Sequence, residues 1–278
     1  MSDLFPPFAP DPNEPHRRVF KPVPFRVIAP NLITLLALCL GLTAIRLAYE
    51  DRLEPAVFAI IFAGILDGID GRVARFLRGT SRFGAELDSL ADFVNFGVAP
   101  ALVLYSFVLH HMKGLGWIAA LIFAIAAALR LARFNVMLDD PNRPDWQKNF
   151  FVGIPAPAGA AAALLPIYLN FVGLSFSPGL APLALIYVLA IAFMMVSTIP
   201  TFSGKTMGKR IPRQWVLPLF VLTAAFIGLM VSFPFEMMAG CTLVYLATIP
   251  FGAARYRQLA QADAARANPV PAPTEPGS

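Results

Sequence analysis

Eight stretches of this sequence are apolar over lengths close to the ~20 residues a helix needs to cross a ~30 Å hydrocarbon layer. They lie at about 30–48, 55–78, 84–110, 115–134, 154–173, 179–200, 214–232 and 235–251. Lipid offers no hydrogen-bond partners, so each stretch must satisfy its own N–H and C=O groups, and no period-two alternation of a β-barrel accompanies them. The expected fold class is therefore all-α, a polytopic integral membrane protein of about eight transmembrane helices. Of the 278 residues 57% are hydrophobic and 14% charged, and the mean hydropathy of +0.65 excludes an ordinary soluble domain.

The loops between these stretches alternate between basic and nearly charge-free, which sets their orientation. One side collects 19 of the 22 Lys and Arg residues, in clusters such as Arg17–Arg26, Arg72–Arg82, Arg130–Lys148 and Lys205–Arg213. Only Arg46, Arg52 and Lys113 fall on the other. An even number of spans in the cytoplasmic (inner) membrane, with both termini inside, is the consistent solution. A basic cytoplasmic face accounts for the pI of about 9.5, so membrane lipids are expected partners and no nucleic acid is implied.

Residues 1–29 carry prolines and charges without a cleavable signal pattern and read as a cytoplasmic segment. Residues 30–252 form the transmembrane domain, and 253–278 drift into an Ala/Pro tail expected to be disordered. Cys39 and Cys241 fall inside spans without metal-ligand spacing, which points to packing. No internal repeat supports a transporter of duplicated halves.

The chemistry concentrates in Asp67-Gly-Ile-Asp70-Gly71-Arg-Val-Ala74-Arg75, followed after eight residues by Gly84-Ala-Glu-Leu-Asp88-Ser-Leu-Ala-Asp92. With the second span entering near Pro55, Asp67 lies about 18 Å along the helix. A carboxylate that deep costs ~2.5–3.5 kcal/mol on insertion scales, so four unpaired ones would cost ~10 kcal/mol. Asp67 and Asp70 are three apart and Asp88 and Asp92 four apart, so each pair shares a helix face. A short basic turn from Arg78 to Arg82 makes the two spans an antiparallel hairpin and brings the pairs together at the cytoplasmic end. Repulsion among four carboxylates is relieved by hard cations that prefer oxygen ligands, Mg²⁺ or Mn²⁺. A glycine at 71 or 84 lets a ligand or neighbouring backbone approach closely.

The pattern D-x2-D-G-x2-A-R-x8-G-x3-D-x3-D resembles the signature of the CDP-alcohol phosphotransferases at every fixed position. The resemblance implies that Asp67, Asp70 and Asp88 are metal ligands, that Asp92 is a ligand and the general base, and that Gly71, Ala74, Arg75 and Gly84 form the CDP-binding surface. Pro30-Asn31-Leu-Ile-Thr34 resembles a family segment lining the nucleotide site, which adds Asn31 and Thr34. Three segments, Asp92-to-Pro100, Ala128-to-Asn135 and Phe151-to-Ala158, with Thr201-to-Lys205 as a fourth, resemble the phosphatidylserine synthase branch, which joins CDP-diacylglycerol to L-serine. The implied reaction is attack of the serine hydroxyl on the β-phosphorus with release of CMP, assisted by two metal ions. A homodimer and an active site facing the cytoplasm are implied as well.

Arg130 and Arg133, three apart at a helix end, offer bidentate donors for the serine carboxylate; as membrane-edge cations they are equally simple anchors. Lys148 and Lys205 read as anchors, and Pro155 and Pro157 as a helix start. The three histidines read as bystanders, and Glu86 as a side chain meeting arginine or water at the membrane surface. Glycerol 3-phosphate, an inositol compound and choline stay open as acceptors. An ion-coupled transporter is the alternative from another class, since intramembrane acids also mark ion pathways.

Overall fold

The computed structural model describes residues 25–77, 79, 81–138, 150–202 and 212–267. The chain is built almost wholly of helices: α1 (Phe25–Tyr49), α2 (Leu53–Phe76), α3 (Arg82–Phe93), α4 (Ala99–Phe107), α5 (Gly114–Leu138), α6 (Ala156–Ala163), α7 (Leu165–Phe171), α8 (Ala181–Val196), α9 (Arg213–Ser232) and α10 (Pro234–Ala267). Two short strands, β1 (Phe150–Val152) and β2 (Pro200–Phe202), pair antiparallel with Phe151 opposite Thr201. Arg78, Arg143, Lys148 and Lys205 lie outside the described residues.

All eight apolar stretches form helix over most of their described length, but among the described residues six helices are long and apolar enough to cross a membrane. The two exceptions have physical causes. Asp67, Asp70 and Arg72 interrupt the apolar run of α2, whereas the 154–173 stretch divides at Leu164 into two short helices. Pro166 has no N–H to donate to the carbonyl of Ala162. That carbonyl instead accepts the Tyr187 hydroxyl at 2.7 Å, which ties the break to α8. The expected domain boundary at 252 also falls inside a helix, because α10 continues through an Ala-rich segment to Ala267.

Small side chains set the packing. Ala37, Ala44 and Ala48 of α1 and Ala56 and Ala63 of α2 are all essentially buried, which allows the close helix approach that drives association in lipid. α2 packs most extensively on α1, and α1 in turn reaches α3 and α4. The hairpin expected of α2 and α3 is therefore not zipped along its length. Carboxylates fill the space between them, and α1 bridges the two. A second packed pair, α5 with α8, closes the opposite side. Large apolar side chains such as Leu36, Phe62 and Ile125 point outward, as expected where the solvent is hydrocarbon. α9 is exposed along nearly its whole length.

Helices α3 and α4 form one continuous rod interrupted by a π turn at Val94–Val98, in which the Ala99 N–H reaches the Val94 carbonyl. The wider turn re-phases the helix. Asp88 and Asp92 face the gap toward α2, while Asn95, Phe96 and Gly97 just beyond are buried. Gly41 of α1 lies so close to this turn that a Cβ there would fall 2.1 Å from Asn95 Oδ1. Gly41→Ala is therefore expected to cost about 1–3 kcal/mol by overpacking, read as a fall of several degrees in the apparent Tm of the purified protein. Gly228→Ala, where an added Cβ meets nothing within 4 Å, should leave Tm unchanged or slightly raised.

Candidate active site

The C-terminal half of α2 and the body of α3 carry the four aspartates. Ser81 caps α3, its hydroxyl accepting the Gly84 N–H at 3.0 Å, so the helix starts immediately after the turn and presents Asp88 toward α2. Asp67, Asp70 and Asp88 each place a carboxylate oxygen so that the three atoms lie within 4.8 Å of one another. Asp92 stands one turn further along α3 and neighbours Asp67. Asp70 is 3% exposed and accepts a hydrogen bond from the Thr34 hydroxyl at 2.6 Å, which anchors the cluster to α1.

One oxygen each of Asp88 and Asp92 is buried without a hydrogen-bond partner. A buried carboxylate oxygen left unmatched costs more than the ~1–3 kcal/mol of a neutral orphan group. Three carboxylates converging around orphaned oxygens make a donor set suited to a hard divalent cation, so these residues fit such a metal.

Asp88 also divides two cavities. On one side lies a cavity of about 190 Å³ bordered by Asn31, Thr34, Asp70, Gly71, Ala74 and Gly84. No protein atom occupies the position a Gly71 Cβ would face, whereas a Cβ at Gly84 would come 2.8 Å from Asn31 Oδ1. Gly71 thus opens onto free space, while Gly84 makes room for Asn31. Arg75 is exposed and does not line this cavity. On the other side, a cavity of about 490 Å³ is bordered by Asp88, Asp92, Arg130, Asn135, Phe151 and Pro155. Asp88 and Ala85 of α3 line both.

The two arginines of α5 part company. Arg130 is 7% exposed, lies over the Phe134 ring at 5.0 Å and lines the larger cavity. Among the described residues it has no hydrogen-bond or ion-pair partner. Arg133 instead donates to the carbonyls of Val196 at 2.6 Å and Ser197 at 3.3 Å, capping the C-terminus of α8. Nη1 makes both bonds, and Arg133 does not line the larger cavity, so of the two arginines the structure places Arg130 there. The same end of α8 receives the segment after β1. Ile154 N donates to Met194 O at 3.2 Å, and Gly153, at φ +74°, would bring a Cβ within 2.5 Å of Met195 O. Thr201 of β2 closes this knot by donating to the Gly153 carbonyl at 2.9 Å. Phe151 and Pro155 are thereby held as a wall of the cavity.

Sequence reasoning did not single out Ser81, Ser89 or Asn135. The Ser81-to-Gly84 spacing carried an N-cap signal, but nothing local reveals that Ser89 and Asn135, 46 positions apart, are hydrogen-bonded at 3.0 Å. His110 and His111 stack on each other beyond the end of α4, about 27 Å of helix rise from Asp92.

A family model described as CDP-alcohol phosphatidyltransferase matches residues 27–184, spanning α1 through α7 and every residue of the cluster. The chain belongs to the CDP-alcohol phosphatidyltransferase family. A second family model, CDP-alcohol phosphatidyltransferase 2, matches residues 214–250. The chain is 42% identical to a CDP-diacylglycerol–serine O-phosphatidyltransferase of Mycobacterium leprae, over 84% of this chain and 77% of the relative. It is 35% identical to the Helicobacter pylori protein of the same name, over 78% of this chain and 88% of that one. The Bacillus subtilis protein of that name is 37% identical over 51% of this chain and 76% of its own length.

Loss of the Arg133 bonds to α8 is expected to destabilise the protein, since hydrogen bonds from a charged donor are worth roughly 1.5–3 kcal/mol each. Arg133→Gln should lower the apparent Tm by several degrees and Arg133→Lys by less. Thermal unfolding of the purified variants measures both.

Proposed function

We propose that this protein is a CDP-diacylglycerol–serine O-phosphatidyltransferase, working at the cytoplasmic face of the membrane. The observation that carries the reaction type is Asp88 standing in the walls of both cavities, beside the converging Asp67 and Asp70. A group transferred between two substrates must be reached from both sides of one centre. Serine as the acceptor is supported by the shared name of relatives that match more than three quarters of the chain.

In this reading the smaller cavity takes the CDP moiety against Asn31, Thr34, Gly71, Ala74 and Gly84, with Arg75 at its outer edge. The larger one takes serine, whose carboxylate Arg130 holds as a donor-only cation. Asp67, Asp70, Asp88 and Asp92 hold Mg²⁺ or Mn²⁺, two ions in the reading favoured here. Bound divalent metal supplies charge neutralisation at the diphosphate and orientation of its oxygens. The serine hydroxyl attacks the β-phosphorus, the bond from that phosphorus to the bridging oxygen breaks, and CMP leaves with the bridging oxygen. Asp92 accepts the hydroxyl proton, and its burial beside Arg130 keeps bulk water from competing for it. Eight spans with both termini inside, and assembly as a homodimer, complete the proposal. The basic clusters flanking the helices support that orientation.

Purified protein given CDP-diacylglycerol, L-serine and Mn²⁺ or Mg²⁺ should release CMP and form phosphatidylserine, identified by mass. Release of CMP with glycerol 3-phosphate, inositol phosphate or choline, but not with serine, would reject the acceptor. Chelation by EDTA should abolish turnover and added Mn²⁺ restore it. Asp92→Asn is expected to lower kcat by about 10²–10⁴-fold while the protein still binds CDP-diacylglycerol. Near-normal turnover in this variant would remove Asp92 from its role as base.

A further inference from the structure

The larger cavity is lined by hydrogen-bonding groups of opposite polarity. Arg130, buried and without a hydrogen-bond or ion-pair partner among the described residues, can only donate. From α3 comes Glu86, an exposed carboxylate that likewise has no ion-pair or hydrogen-bond partner among the described residues and lines the same cavity. From the sequence alone Glu86 meets water or arginine at the membrane surface; lining this cavity gives it a more specific place.

Asn135 is the third polar group. The Ser89 hydroxyl spends its one proton on the Ala85 carbonyl at 3.0 Å. It can therefore only accept from Asn135, which it does from Nδ2 at 3.0 Å. That bond fixes the amide, and Asn135 Oδ1 is left as an acceptor. Glu86 and Asn135 Oδ1 thus supply acceptors in a cavity whose buried cation supplies donors. We infer that Glu86 and Asn135 form an ammonium subsite in the cavity that Arg130 also lines, so that this cavity recognises the zwitterion of an α-amino acid rather than an alcohol alone. The inference rests on the serine reading and deepens it.

The chemistry discriminates among acceptors. A phosphorylated alcohol brings a dianion, which Glu86 repels and a single arginine compensates poorly. A quaternary amine has no carboxylate for Arg130 and no N–H for Asn135. A β-hydroxy α-amino acid satisfies all three groups, and its hydroxyl is left to face Asp92 on the same wall.

Steady-state CMP release by purified wild type, Glu86→Gln and Asn135→Ala, with L-serine and with 3-hydroxypropanoate, tests this. The second compound keeps the hydroxyl and carboxylate and lacks the amine. Glu86→Gln should raise the serine KM about tenfold or more, as expected for loss of a charge-assisted bond, with kcat and the CDP-diacylglycerol KM within about threefold of wild type. The KM for 3-hydroxypropanoate should stay the same or fall. Asn135→Ala should show the same split with a rise of about threefold to tenfold, and it carries the test if Glu86→Gln does not yield folded protein. An unchanged serine KM in the folded variants, or an equal rise for both compounds, overturns the ammonium subsite while leaving the serine reading intact. Absence of CMP release from wild type with serine overturns that reading itself, whatever the variants do.

Discussion

Four carboxylates held near one another in a low-dielectric slab are the constraint around which this protein is arranged. Each would raise the free energy of the folded chain if left unmatched, and together they repel. The surrounding structure relieves this in a graded way. Asp70, the most buried, receives the Thr34 hydroxyl. Asp88 and Asp92 each keep a buried oxygen without a hydrogen-bond partner. A site organised this way could hold a hard cation, whose binding would relieve both the repulsion and the unmet desolvation.

Keeping α2 and α3 apart at this gap requires a third element, and α1 supplies it. Its alanines allow the backbone of α2 to come close, and its Gly41 admits the buried Asn95 of the π turn. Because that turn changes the helical phase immediately after Asp92, one rod presents carboxylates to the site in its first half and packs into the bundle in its second. A regular helix would rotate Asn95, Phe96 and Gly97 away from the faces they now fill.

The opposite wall is made differently, from loop and helix-end chemistry. The C-terminal carbonyls of α8 bind Arg133 of α5 and the backbone after β1, and Thr201 of β2 locks Gly153. These interactions use groups that a helix end leaves unsatisfied anyway. They hold an irregular segment at the edge of the bundle, where it borders a cavity rather than lipid, the setting in which non-helical backbone is tolerated at membrane depth.

By itself the sequence determined the all-helical membrane architecture, since runs of about twenty apolar residues have no other stable form in lipid. It also determined the identity and helical phasing of the aspartates, because spacings of three and four place side chains on one face whatever the tertiary context. Only the tertiary structure decided that α1 packs on both acidic helices, that Arg130 lines a cavity while Arg133 caps α8, and that Glu86, Ser89 and Asn135 line one cavity. The two arginines look equivalent along the chain because they differ by three positions on one helix, and what separates them is the neighbour each meets. The 154–173 stretch shows the same limit: Pro166 marks a break, but the Tyr187 hydroxyl that satisfies the freed carbonyl comes from a helix more than twenty residues away. Periodicity along one helix is local physics and can be read from composition, whereas partners contributed by distant segments exist only once the helices have packed.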